Sequence, residues 1–305
     1  MGASAVGSAF GHYRLDAPLG IGGMGVVFLG RDTHLCRPVA IKVLPSDKLD
    51  ERHRRRLREE ALVLSSLSHP NIASVFDFGS HGEIDYLVME YVPGVTLDVL
   101  LRQGPLPSDE VSRLGAQLAR GLGAAHLAGV VHRDIKPENL RVTPEGLLKI
   151  LDFGIATFTA GGPRAATSTT VIDTTSSLAG TIQYMAPERL RGGSTDPRTD
   201  IFSAGAVLYE MACGRPPFDD PHPVRLIEAI LNGAVPRPSA VNPRIHPALE
   251  RIILRALDPR PARRLATAIE LAVALEEVKV SVVPRRSPAS SLIQWATRIA
   301  ASLAW

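Results

Sequence analysis

The chain is 305 residues long, with 45% hydrophobic and 21% charged residues and a formal net charge of +3. That length suits two lobes around one cleft rather than a single small domain. The basic excess is slight and no basic tract is interleaved with aromatics, which argues against a nucleic-acid partner.

Residues 1–12 are small and polar, lack a basic n-region and an apolar h-region, and are predicted to be a disordered N-terminus rather than a secretory signal. From Tyr13 to Leu44, β-branched and apolar runs alternate with glycines, which predicts three strands. Leu57, Ala61, Leu64 and Leu67 recur at helical spacing within 47–67. Two more strands are expected around 73–78 and 84–90. Past Pro93-Gly94 the pattern turns helical, at 108–129, 198–213, 224–232, 247–257 and 267–279. A strand-like stretch, 131–155, and a Ser/Thr/Gly-rich stretch, 157–181, lie between the first two of these helices. The fold class is therefore α+β, with a strand-rich part over 13–92 and a helical part over 93–279.

Residues 280–305 read as a linker and a short amphipathic segment with Leu292, Trp295, Ile299 and Leu303 on one helical face. That segment is expected to dock on the last lobe or to make a weak membrane or partner contact through 291–305. No apolar run reaches the ~20 residues of a membrane span. Cys36 and Cys213 are the only cysteines. Two thiols build neither a disulfide framework nor a four-ligand zinc site, so the expected location is cytoplasmic, with a peripheral position on the cytoplasmic membrane face as the alternative.

Gly20, Gly22 and Gly25 stand at G-x-G-x-x-G spacing in the run from Leu19 to Val27. Glycines suit a loop that brings backbone N–H groups against phosphates. The dinucleotide fingerprint needs a helix after such a loop, whereas a β-branched strand follows here, so a Rossmann reading fails. A P-loop is absent as well. Lys42, in Val39-Ala40-Ile41-Lys42, comes next and suits a phosphate ligand. An ammonium there needs a carboxylate, and the following helix offers Glu60, ahead of His69-Pro70-Asn71-Ile72, with Glu59 as a solvated neighbour.

The segment His132-Arg133-Asp134-Ile135-Lys136-Pro137-Glu138-Asn139 is followed by Asp152-Phe153-Gly154 and then by Ala186-Pro187-Glu188. In this order the motifs resemble the eukaryotic-type protein kinase signature over residues 13–275, specifically the bacterial Hanks-type serine/threonine branch. The resemblance implies a bilobal fold, an antiparallel N-lobe sheet with one helix, and a mainly helical C-lobe. It implies transfer of the γ-phosphoryl of ATP to protein hydroxyls, with Mg²⁺, or Mn²⁺ in its place, as cofactor. On that pattern Asp134 orients the hydroxyl and accepts its proton, Lys136 stands by the γ-phosphate, and Asn139 and Asp152 offer hard oxygens to the metal. Lys136 in D-I-K-P-E-N and Thr181 in Gly180-Thr181 match the serine/threonine branch.

Further roles follow from the same resemblance. Leu19, Val27, Ala40, Met89, Glu90, Val92 and Arg141 line the adenine site, with Met89 as gatekeeper. Arg141 occupies a usually apolar place, its stem expected to cover the base while its guanidinium reaches water. Glu188 is expected to pair with Arg264, and Asp200 to anchor the segment around Asp134. Arg133 beside Asp134 invites a phosphorylated loop, with Thr174, Thr175 and Ser177 as the expected autophosphorylation sites. Protein substrates are the expected partners, and the family leaves room for a homodimer through the small lobes.

Overall fold

The computed structural model describes residues 6–22, 25–44, 51–82, 84–153 and 182–278. Two compact units divide between Val92 and Pro93. In the first, β1 (Ala9–Phe10), β2 (Tyr13–Gly22), β3 (Gly25–Asp32), β4 (Arg37–Val43), β5 (Val75–His81) and β6 (Ile84–Glu90) form one antiparallel sheet. Its order is β1-β2-β3-β4-β6-β5. Side chains alternate across the sheet with the strand period of two. One face gathers Leu15, Phe28, Ile41 and Val88. The other gathers Ala40, Leu87 and Met89 with Ala61 of the helix α1 (Glu51–Ser65).

Residues 9–10 correct the expected disordered start. They pair with β2, Phe10 opposite Tyr13. Phe10 is buried and stacks on His81 with ring centroids 5.1 Å apart. A single aromatic anchors an otherwise polar run, and average composition does not register one residue. Gly25 is required where it stands: its φ is +129°, and a Cβ there would lie 2.0 Å from the Val43 carbonyl oxygen.

The second unit is helical: α2 (Leu97–Leu101), α3 (Ser108–Leu127), α4 (Pro187–Leu190), α5 (Pro197–Cys213), α6 (Pro223–Asn232), α7 (Pro238–Val241), α8 (Pro247–Ala256) and α9 (Ala268–Glu276). A small sheet joins β7 (Val95–Thr96), β8 (Leu140–Val142) and β9 (Leu148–Ile150) in that order. The five helices expected from periodicity lie near their expected bounds. α2, α4 and α7 are too short for a helical period to appear in sequence. Among the described residues 131–153 of the expected strand-like stretch there are two short strands, because 131–136 is shaped by contacts from distant residues rather than by a sheet.

α5 is the axis of this unit and is buried nearly all round. Asp196 caps it by accepting the Arg198 N–H, Pro197 opens it, and Gly214 ends it with φ 74°. Gly205 lets α8 approach closely, since a Cβ there would lie 2.8 Å from the Cβ of Ala256.

Candidate active site

In the second unit the chain bends sharply at Arg133, whose φ is 68°. Left-handed backbone at a non-glycine residue costs about 1–3 kcal/mol, so neighbouring contacts must hold it. Asp200, fully buried on α5, supplies them. Its Oδ1 accepts the Arg133 N–H at 2.8 Å. Its Oδ2 accepts the His132 N–H at 2.7 Å and faces His126 Nε2 at 2.8 Å. Burial alone would push this carboxyl's pKa up, but the hydrogen bond from His126, the nearby histidines and the Arg133 amide outweigh it and bring it down.

Three side chains expected from sequence meet beyond the bend. Asp134 Oδ2 lies 3.0 Å from Lys136 Nζ and accepts from Asn139 Nδ2 at 3.0 Å. Asn139 Nδ2 also donates to the Asp134 carbonyl at 2.8 Å. With its nitrogen committed to Asp134, the amide has its oxygen end left for a cation. Asp152 is coupled to this cluster through its neighbours. The Leu151 N–H donates to the Asn139 carbonyl at 2.8 Å, and the Leu151 carbonyl accepts from His132 Nε2 at 2.9 Å. His132 Nδ1 accepts the Asp134 N–H at 3.2 Å, which assigns the ring its tautomer. The Phe153 ring packs on His132, centroids 4.6 Å apart. Asp152, itself at φ 53°, is thus gripped from both sides. A carboxylate and an amide oxygen are the hard donors Mg²⁺ prefers, with phosphate and water completing its shell, so the residues fit that metal.

Glu188 and Arg264 form a two-pronged pair at 2.8 Å and 2.8 Å, and Thr199 Oγ1 donates to Glu188 at 3.0 Å. The guanidinium also donates to the Asp258 and Arg198 carbonyls and lies over the Phe202 ring. Arg263 takes no such place. Burial pushes the Glu188 pKa up, and Arg264 more than offsets it.

In the first unit Val27 faces Lys42 across β3 and β4, and Ala40 faces Met89 across β4 and β6. Ala40, Lys42, Met89 and Val92 are all buried, Lys42 with 5% exposure. An ammonium in such a place demands an anionic partner. Gly20 lies opposite Val27 and Gly22 opposite Gly25, while Leu19 is exposed. The Glu90 carboxylate accepts the Ser74 N–H at 3.2 Å. The Glu60 side chain, Thr181, Thr174, Thr175 and Ser177 lie outside the described residues.

Arg141 has a backbone partner that its sequence position does not announce. Its Nε and Nη2 donate to the Gly94 carbonyl at 3.2 and 2.8 Å, so the half-buried guanidinium is held against the backbone that leads into β7. Two features went unread in the sequence. Arg189 Nη1 donates to the Arg133 carbonyl oxygen, a contact over 56 positions that no spacing announces. A cavity of about 320 Å³ is lined by Asp98, Glu138, Tyr184 and Glu210 among others. Tyr184 donates its hydroxyl to Glu210 at 2.5 Å, and burial raises the Glu210 pKa.

Comparison with known proteins places these observations. The protein kinase domain family matches residues 13–274. The serine/threonine-protein kinase PrkC of Bacillus subtilis is 40% identical over 263 residues, covering 86% of this chain and 39% of PrkC. PknB of Mycobacterium tuberculosis is 38% identical over 274 residues, covering 88% of this chain and 43% of PknB. The chain therefore spans about two fifths of the length of these curated relatives. The crystal structure of the Mycobacterium tuberculosis PknI kinase domain superposes with a TM-score of 0.70 at 28% identity, over 90% of this chain and 98% of that one.

Proposed function

The chain belongs to the protein kinase domain family, in its bacterial Hanks-type serine/threonine branch, and from that premise we propose how its residues carry the reaction. The family uses ATP and a divalent metal. Asp152 and Asn139 would hold Mg²⁺, with Mn²⁺ as a substitute, and the ion would supply positive charge against the phosphate oxygens. Asp134 accepts the proton of a serine or threonine hydroxyl as that oxygen bonds to the γ-phosphorus. The bond from the γ-phosphorus to the bridging oxygen breaks, and ADP leaves. Lys136 balances charge on the moving phosphoryl group, and Thr181 steadies Asp134 and Lys136.

The observation that carries the reading is the convergence of Lys136 Nζ and Asn139 Nδ2 on one oxygen of Asp134, each at 3.0 Å. That arrangement orients a carboxylate for a single proton transfer. Lys42, braced by Glu60, and the backbone of Gly20, Gly22 and Gly25 take the phosphates. Leu19, Val27, Ala40, Met89, Glu90, Val92 and Arg141 enclose the base. The carboxylates around the cavity by Glu138 favour protein substrates with a basic residue near the acceptor hydroxyl.

Activation by autophosphorylation at Thr174, Thr175 and Ser177 belongs to the same reading. It is supported by Arg133, whose Nε is buried without a hydrogen-bond partner among the described residues. Homodimerisation, and a weak membrane or partner contact through 291–305, extend the proposal to partners, with sedimentation and vesicle co-pelleting as their measurements.

The test is transfer from γ-labelled ATP with Mg²⁺ to a generic protein acceptor, followed by phosphosite mapping. Label on serine or threonine, lost by a factor of about 10²–10⁴ in Asp134→Asn, is expected. Transfer that survives Asp134→Asn undiminished would remove the proposed base. Mapping that finds no phosphate within 165–181 would remove the autophosphorylation step.

A further inference from the structure

Arg133 holds a left-handed backbone, with φ at 68°, immediately before Asp134. Such a residue relaxes to ordinary backbone unless both of its peptide groups are restrained. Its amide side is restrained by Asp200, whose Oδ1 accepts the Arg133 N–H at 2.8 Å. Its carbonyl side belongs to the peptide that leads into Asp134, and that oxygen accepts a hydrogen bond from Arg189 Nη1. Arg189 lies on α4, next to Glu188, and Glu188 is pinned by Arg264 and Thr199. The donor therefore comes from a backbone that is itself anchored to the core of the unit.

We propose that Arg189 is a positioning residue for Asp134, holding the carbonyl of the bend at Arg133 while Asp200 holds its amide. The inference rests on the kinase reading given above for Asp134. One further observation supports it. Arg189 is half-buried, and loss of water around it pushes its pKa down while the charges of Asp134 and Asp200 oppose that fall. The guanidinium is thus in electrostatic reach of both carboxylates that frame the bend. Its energetic reason to be there is the contact itself, because a cation drawn out of water needs hydrogen bonds to replace hydration.

The consequence is specific. Loss of the Arg189 donor lets the peptide between Arg133 and Asp134 rotate, and the carboxylate drifts from its in-line position. A misplacement of about 1 Å at a reacting group lowers turnover on the order of 10²-fold. Nucleotide affinity is set by other residues and stays near its original value. A residue that only supported folding would instead lower the active fraction and the melting temperature while leaving turnover per folded molecule intact.

The experiment compares wild type, Arg189→Met and Arg189→Lys, with Arg191→Met as a surface control. Turnover is normalised to nucleotide-binding stoichiometry, and amide hydrogen exchange is followed over 132–135. Arg189→Met is expected to lower kcat on the order of 10- to 100-fold with KM for ATP within about twofold, and to speed exchange in that segment. Only Nη1 donates to the Arg133 carbonyl, so a lysine ammonium can replace it. Arg189→Lys is expected to recover at least half of the loss on a logarithmic scale. An unchanged kcat in folded Arg189→Met overturns the proposal, and so does an equal loss in Met and Lys variants. Should Arg189→Met fail to fold, Arg189→Gln, polar but too short to reach, takes its place with the same outcomes. Absence of turnover in wild type would instead fault the kinase reading, and the exchange measurement would still test the bend.

Discussion

Replacing Arg264 by methionine removes one charge from a well-enclosed ion pair in the second unit. The Arg264 side chain is 0% exposed and that of Glu188 15%. The substitution strips two 2.8 Å bonds from Glu188 and leaves its carboxylate with Thr199 Oγ1 and its own backbone N–H. It also removes donors from the Asp258 and Arg198 carbonyls. Breaking a buried pair by deleting one partner costs about 3–5 kcal/mol, because the other charge stays behind unpaired. At about 2–4 °C per kcal/mol for a domain of this size, the melting temperature should fall by roughly 6–20 °C. The exposed pair of Arg120 and Glu276, also short at 2.6 Å, is the control, its side chains 57% and 40% exposed. Its loss should cost about 0.2–1 kcal/mol.

The pH dependence has a definite sign. The Glu188 pKa is lowered on folding from an ordinary value of 4.5. Its stabilising contribution is therefore present above that value and is lost as pH falls through the lower folded value. Urea unfolding of wild type and Arg264→Met at pH 7 and at progressively acid pH measures both effects. A double-mutant cycle with Glu188→Gln isolates the pair. A loss at pH 7 no larger than that of the Arg120 control, or a gap that widens with acid, would refute the reasoning.

Two other substitutions probe the first unit and the small sheet. Gly25→Ala should weaken nucleotide binding and lower stability by at least about 1–3 kcal/mol, since the new Cβ meets the Val43 carbonyl at 2.0 Å and the residue must keep φ near +129°; wild-type affinity and melting temperature would contradict that. Arg141→Leu should cost about 0.5–1.5 kcal/mol by stripping donors from the Gly94 carbonyl, while ATP affinity changes by less than about threefold. A tenfold gain in affinity on titration calorimetry would show instead that the guanidinium obstructs the base.

The chemistry was legible in the sequence wherever it depends on residues close along the chain. Asp134, Lys136 and Asn139 meet within one short bend, so their order already announces a carboxylate, a cation and an amide at one place. Helices with one buried side were legible as well, because that side imposes a helical period along the sequence, as over the 20 residues of α3. Single anchors were not. Phe10 holds β1 to the sheet, and no window of composition isolates one aromatic.

What the tertiary structure decided is how the local motif is held. Asp200 reaches the Arg133 amide across 67 positions, Arg264 reaches Glu188 across 76, and Arg189 meets the Arg133 carbonyl across 56. Resemblance to a family suggested the first two contacts, but nothing local to Arg189 or Arg141 predicts which carbonyl each guanidinium finds. A strained bend is stable only when distant, buried groups satisfy both its donor and its acceptor. Those partners are selected by how helices pack, and that choice is made in three dimensions rather than along the chain.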